Sequence, residues 1–243
     1  MRTRHQTALL GLAFCAAAPL HAAEWQHELA PYVWGAAMDG SAAIGPVTAD
    51  IDMSFGDIVD NLEFGFMGAY RATNGPHSIT LDGLYMGLGG TGRGPAGYVK
   101  ADLDVDQTGL ELSYGYEVID RLVLFGGLRY NDLATDIKLT GPLGSQKVDA
   151  SADWVDPLIG ARYTIPFAEV WSLTLSGDIG GFGVGSDFAW QGVATVRWQF
   201  SDNIGALAAY RYLDMDYEDG GGARYFNYDV ASSGPALGVV FTF

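Results

Sequence analysis

The chain has 243 residues, of which 49% are hydrophobic, and carries 29 Asp and Glu against 13 Lys and Arg, for a formal net charge of −16. That acidity makes nucleic acids and anionic surfaces poor partners, and the apolar share is too high for a disordered acidic tail. The length suits one domain.

In chain order, Arg2 and Arg4 precede an apolar stretch from Ala8 to Leu20, and Leu20-His21-Ala22-Ala23 follows. This is the layout of a secretory signal peptide over residues 1–22, cut after Ala22 or Ala23. The apolar run is too short for a membrane-spanning helix, which needs about 20 residues. Phe14 stands before Cys15 where a lipoprotein site needs a small residue, so Cys15 leaves with the signal. Residues 23–243 then form one mature domain with no cysteine, hence no disulfide and no thiol chemistry. With Arg2 and Arg4 removed, 11 basic residues face 29 acidic ones, a net charge of −18. An exported, apolar chain without a helix of spanning length can still cross a membrane by closing a sheet, which pairs every backbone group.

Alternating segments run through most of the mature chain, with spans expected near 25–38, 62–72, 78–89, 98–118, 121–140, 146–165, 170–180, 187–200, 204–217 and 224–243. Between Trp171 and Gly180, Trp171, Leu173, Leu175 and Ile179 alternate with Ser172, Thr174, Ser176 and Asp178. Short connections at Thr73–His77, Val118–Asp120, Pro166–Glu169 and Ser201–Asn203 take turns with longer ones. The longer ones, at Gly89–Gly97, Gly141–Ser145, Gly181–Ser186 and Glu218–Ala223, are Gly-rich or acidic. Short turns on one side and long loops on the other predict an antiparallel up-and-down transmembrane β-barrel, all-β, with ten strands and eight or twelve as alternatives.

Three stretches complicate that pattern. In the first strand Tyr32 and Trp34 oppose Leu29 and Val33, which leaves its facing open. From Ile44 to Asn61 another alternation appears, with Val47, Ala49, Ile51 and Met53 against Thr48, Asp50, Asp52 and Ser54. As a full span it would make eleven strands and put Phe243 on the wrong side. It is therefore expected in the first outer loop, pairing with a strand extension, with Phe55–Asn61 as one helical turn over or into the lumen. Finally, Leu110, Leu112, Tyr114 and Tyr116 continue upstream in the same parity as Asp106, Asp104, Asp102 and Lys100. Charge there is costly in lipid, so that hairpin should project outward; a β-bulge near Gln107 is the competing account.

The inward parity of these strands carries Glu63, Arg71, Asp82, Glu111, Arg129, Asp156, Arg162, Asp178, Arg197 and Arg211. They suit either a charged pore for ions or small solutes or an ion-pair ladder that fills a narrow lumen. Outer carboxylates gather at Asp50, Asp52, Asp57 and Asp60, at Asp102, Asp104 and Asp106, and at Asp214, Asp216, Glu218 and Asp219. They make a solvated acidic rim or contacts for divalent cations. Asp214–Gly220 lacks the terminal glutamate of an EF-hand, and Gly180–Gly185 lacks the β-α-β context of a nucleotide loop. The mature chain holds only His27 and His77, both expected away from the outer rim, so no catalytic residue and no cofactor are assigned. Trp25, Tyr116, Trp171, Trp198 and Phe243 are expected in the periplasmic aromatic girdle, and Tyr85, Trp190, Tyr212 and Tyr217 toward the outer one.

The final strand, with Leu237, Val239, Phe241 and Phe243 on one face, resembles the C-terminal assembly signal of bacterial outer-membrane barrels. Pro31-Tyr32-Val33-Trp34, Asp153–Tyr163, Gly177–Ser186 and Tyr210-Arg211-Tyr212 resemble segments of uncharacterised proteobacterial outer-membrane β-barrel proteins. The resemblance implies the fold, a Gram-negative outer-membrane location, contact with lipid and lipopolysaccharide, and handling by the barrel-assembly machinery. It implies no activity. The expected function is a narrow passive channel with a cation preference set by the acidic rim. The alternative is a closed surface barrel whose acidic loops contact divalent cations, lipopolysaccharide or partners, and an outer-membrane enzyme is a minor third.

Overall fold

A computed structural model describes residues 24–93, 100–141 and 144–243. The expected signal peptide, and part of the loops expected at Gly89–Gly97 and Gly141–Ser145, lie outside the described residues.

Ten long strands alternate with the expected turns. They are β1 (Gln26–Trp34), β4 (Leu62–Asn74), β5 (His77–Arg93), β6 (Lys100–Ile119), β7 (Leu122–Gly141), β8 (Gly144–Ala168), β9 (Trp171–Gly180), β10 (Phe188–Gln199), β11 (Ile204–Asp219) and β12 (Phe226–Thr242). Each pairs antiparallel with its neighbour, and β12 returns to pair with β1, so the ten close into a barrel. Both ends of the described chain lie with the short turns, which marks that side as periplasmic.

The stretch after β1 is the part the sequence pattern resolved least. The strand expected over 25–38 breaks at Gly35–Ala36. There Gly35 N–H donates to the Pro235 carbonyl at 2.8 Å, and the chain resumes as β2 (Ala37–Ile44) and β3 (Val47–Met53). β12 is long enough to serve both, pairing β1 through its second half and β2 through Phe226–Ser233. The β2–β3 hairpin thus extends the wall above the membrane, as expected for an outer loop that pairs with a strand extension, and β3 ends the sheet order. Next comes α1 (Phe55–Asn61), where Ser54 caps the first turn and Asp57 returns the bond to the Ser54 N–H at 2.9 Å.

The ladder through β6 is continuous past Gln107 on both sides, which removes the bulge there. Register shifts instead fall at strand ends, at Leu62/Phe64, Glu117/Ile119 and Pro166/Ala168. Leu110, Leu112, Tyr114 and Tyr116 are all exposed, an apolar band that suits lipid and would be unfavourable in water. The band ends where Tyr85 donates to Asp106 at 2.7 Å and where Trp190 stacks on Tyr212 at 4.7 Å. The lower girdle includes Trp171 and Trp198, parallel at 5.6 Å. Trp190 and Trp198 are eight residues apart on β10, roughly 26 Å along the strand and about 20 Å along the axis of a barrel tilted near 40°. That is close to the apolar band of about 25 Å in known barrels.

The inward faces divide the interior into two halves. Toward the outer side, Trp154, Ala189, Leu213, Met215, Tyr217, Tyr228 and Val230 are buried together, and Trp34, Met38, Ile51 and Leu133 pack on them. Tyr217, expected in the outer girdle, lies inside with its ring parallel to Trp154 at 4.1 Å. The alternation of β11 explains this: Arg211, Leu213, Met215 and Tyr217 share the inward face, while Tyr210 and Tyr212 look out. Met38 and Ala42 of β2 and Ile51 of β3 serve the same cluster, while Val47 and Ala49 of β3 are exposed.

Candidate functional site: the barrel lumen

Toward the short turns the inward face becomes polar. Glu111 on β6 lies directly across the ladder from Arg129 on β7. The Arg129 guanidinium donates to Glu111 at 2.8 Å and to Asp178 on β9 at 2.7 Å. On the other wall Arg211 of β11 reaches Asp82 of β5, four strands away in the ring of ten, at 3.2 Å. Tyr32 of β1 joins them: its hydroxyl donates to Asp82 at 3.0 Å and accepts from Arg211 at 3.2 Å. The Arg211 guanidinium also lies over the Trp34 ring at 4.8 Å. Nearer the periplasmic mouth Arg197 of β10 pairs with Glu28 of β1 and donates to Thr242 Oγ1 at 3.2 Å.

Nine of the ten inward charges expected from the sequence therefore face the interior, though not in one role. Asp156 is wholly buried and pairs with no cation among the described residues. It accepts from Ser186 N–H at 2.6 Å and Ser186 Oγ at 2.8 Å, from Trp154 Nε1 at 3.2 Å and from Asn131 Nδ2 at 3.3 Å. Its task is to pin the β9–β10 loop to the wall. Glu63 stands apart: it is the extra residue at the Leu62/Phe64 register shift, exposed, with its carboxylate against Gly89 rather than in the lumen. Arg71 and Arg162 line a central cavity of about 240 Å³ with Glu28, Asp82, Arg197 and Arg211.

Glu28 and Tyr32 were absent from the expected set. The signal was present in β1, since Leu29 and Val33 are the strand's exposed apolar residues, which turns Glu28, Ala30, Tyr32 and Trp34 inward.

The carboxylates of the crown form no compact centre: among the described residues no three His, Cys, Asp or Glu converge to hold a metal ion. Beyond the Trp190–Tyr212 belt, Asp216 has its carboxyl pushed above the usual range by partial burial, reinforced by Asp229, Asp187 and Glu218. The histidines lie at the opposite end. His27 Nδ1 and Tyr70 Oη are 2.6 Å apart, with the ring stacked on Phe243, and His77 Nδ1 and Tyr114 Oη are also 2.6 Å apart.

No family model matches the chain, and neither does any curated protein. Among solved structures, the outer-membrane protease OmpT from Escherichia coli aligns over 93% of this chain and 99% of its own, with a TM-score of 0.56 and 9% identity. The fold is that of an outer-membrane β-barrel. The translocator domain of the autotransporter NalP from Neisseria meningitidis (92% and 90% covered, 14% identity, TM-score 0.46) and Ail of Yersinia pestis (90% and 98%, 13%, 0.39) also align. At such identities the likeness is one of fold and not of activity. The closed barrel and its lipid-facing apolar band support an outer-membrane location.

Proposed function

We propose that this chain is a closed outer-membrane barrel with a structural or surface role rather than an open pore. The observation that carries the reading is the apolar cluster around Trp154, Tyr217 and Tyr228, which occupies the outer half of the lumen. Beneath it the Arg211–Asp82–Tyr32 and Arg129–Glu111–Asp178 bridges span the interior. A cation entering from the acidic rim would meet this apolar cluster, which favours the closed alternative over the narrow cation-preferring channel. The crown that stands beyond the belt, bearing Asp214, Asp216, Glu218 and Asp229, is the surface available for diffuse contact with divalent cations or lipopolysaccharide. Delivery by the barrel-assembly machinery belongs to the same reading. The enzymatic alternative gains nothing from histidines held at the periplasmic girdle, far from the rim where such chemistry would face outward substrates.

The test is single-channel recording of refolded residues 23–243 in a planar bilayer under a KCl gradient. Folded protein, verified by its heat-dependent gel shift, is expected to be silent. A Trp154→Gly, Tyr217→Ala double variant is expected to show openings. Steady openings of the unaltered protein would refute closure.

A further inference from the structure

We propose that the lower lumen binds a small phosphate-type oxyanion between Arg71 and Arg162, entered from the periplasmic mouth. The proposal rests on the closed reading only in that the pocket is blind toward the outer surface. Three of the five lumen arginines have carboxylate partners: Arg129 takes both Glu111 and Asp178, Arg197 takes Glu28, and Arg211 takes Asp82. Among the described residues, Arg71 on β4 and Arg162 on β8 have no carboxylate within ion-pair distance. Arg71 Nε is shut away from solvent without a hydrogen-bond acceptor. The nearest support of Arg162 is the face of Phe125, 5.3 Å from the guanidinium carbon. Inward Gly160 makes that possible, because a Cβ there would collide with the Phe125 ring. Arg71 and Arg162 stand four strands apart around the ring and line the same cavity. Glu28 lies directly across the β1–β4 ladder from Arg71, but its ion pair is made with Arg197.

Two cations lining one cavity without ion pairs of their own, while its carboxylates Glu28, Asp82, Glu111 and Asp178 are held by other arginines, is a costly arrangement in a low-dielectric interior. An anion between them removes the cost, and guanidinium groups match the oxygens of phosphate. The cavity they share, about 240 Å³, is many times the roughly 10–15 Å³ that one water needs on the same measure. It has room for a tetrahedral oxyanion together with bridging waters. Thr80, Ser176 and Thr195 supply hydroxyl donors around it. Gln191 adds selectivity. Its amide nitrogen donates to Asp178 at 2.9 Å, which fixes the orientation, and its Oε1 is buried without a donor. The hydroxyl of hydrogen phosphate can donate to that oxygen; sulfate, fully deprotonated, cannot. Access is from below, because a second cavity of about 640 Å³ at the periplasmic mouth shares Arg197 with the first.

Isothermal titration of refolded residues 23–243 in non-ionic detergent, free of phosphate-bearing amphiphiles, tests the assignment with inorganic phosphate as the probe. One phosphate is expected per barrel, with sulfate bound at least several-fold more weakly. Arg71→Gln and Arg162→Gln are each expected to weaken phosphate at least tenfold. Arg71→Lys should retain most of the affinity, and Arg121→Gln in a turn should change nothing. Each variant is first required to show the heat-dependent gel shift. Absence of saturable phosphate binding in the unaltered protein, or binding indifferent to both glutamine variants, overturns the site; equal affinity for sulfate overturns the role of Gln191. Conductance reports closure separately, so a silent barrel without phosphate refutes the site alone, and a conducting barrel with phosphate refutes closure alone.

Discussion

Replacing Asp156 by alanine should be among the most damaging single changes in the barrel. The carboxylate is fully buried and accepts four hydrogen bonds, two of them short ones from Ser186. Bonds to a charged group contribute about 1.5–3 kcal/mol each, and the longer ones from Trp154 and Asn131 roughly 0.5–1 each, for a gross of about 4–8 kcal/mol. Two effects reduce that figure. The variant no longer has to desolvate a buried charge, and once the β9–β10 loop lifts away, water satisfies the Ser186 donors. The expected net loss is about 3–5 kcal/mol, or roughly two to four powers of ten in the folding constant. Asp156→Asn should lose less, about 1–3 kcal/mol, because its carbonyl still accepts from Ser186 while its NH2 faces donors. Equilibrium unfolding in guanidinium from detergent micelles measures the loss, and hydrogen exchange at the Ser186 amide reports whether the loop detaches. A loss below about 1 kcal/mol, with Ser186 still protected, would show that the loop is held by something other than this carboxylate.

Other substitutions probe separate parts of the barrel. Gly185→Val should release the same loop, since even a Cβ there would come within 2.5 Å of both Asp156 Oδ1 and the Val155 carbonyl; exchange at Ser186 checks it. Gly160→Ala should push on both the Phe125 ring beneath Arg162 and the Gly177 carbonyl of β9, each 2.4 Å from the added Cβ, and destabilise by about 3 kcal/mol or more through overpacking, read by the same unfolding curve. At Asp216 the folded carboxyl titrates above its unfolded value, so its ionised form costs stability at neutral pH, and the cost disappears as pH falls through the raised folded value. Asp216→Asn should therefore stabilise at pH 7 by roughly 0.5 kcal/mol or less after solvent screening, and lose that advantage in acid or high salt. An advantage that persists unchanged at low pH would refute the repulsion.

The barrel was legible because alternation over eight or more residues, repeated ten times between short and long connections, has few other structural solutions. The outward hairpin was equally readable, since Asp102, Asp104 and Asp106 continue a face that Leu110 and Leu112 begin. Parity was not enough where one residue decides the outcome. The break at Gly35–Ala36 depends on β12 being long enough to serve two partners, which no local pattern encodes. Glu63 sits on a register shift that turns it out of the lumen, and Tyr217 looks like a girdle residue until its strand is seen to continue above the lipid with the same facing. The pairing of Arg197 with Glu28 and of Arg211 with Asp82 was also hidden, because it joins strands three and four places apart around the ring.

The sheet closes within the membrane, but its order stops at β3 in the crown. That strand has β2 on one side and no strand partner on the other among the described residues. An unpaired edge at the cell surface is a template for recruiting another chain. Here Asp50 and Asp52 recur along it, both exposed, in a molecule that is already strongly acidic. Two crowns meeting edge to edge would bring carboxylate against carboxylate before any backbone bond could form. An edge so charged disfavours pairing with a second copy of itself and is complementary to a strand with lysine or arginine at alternate positions.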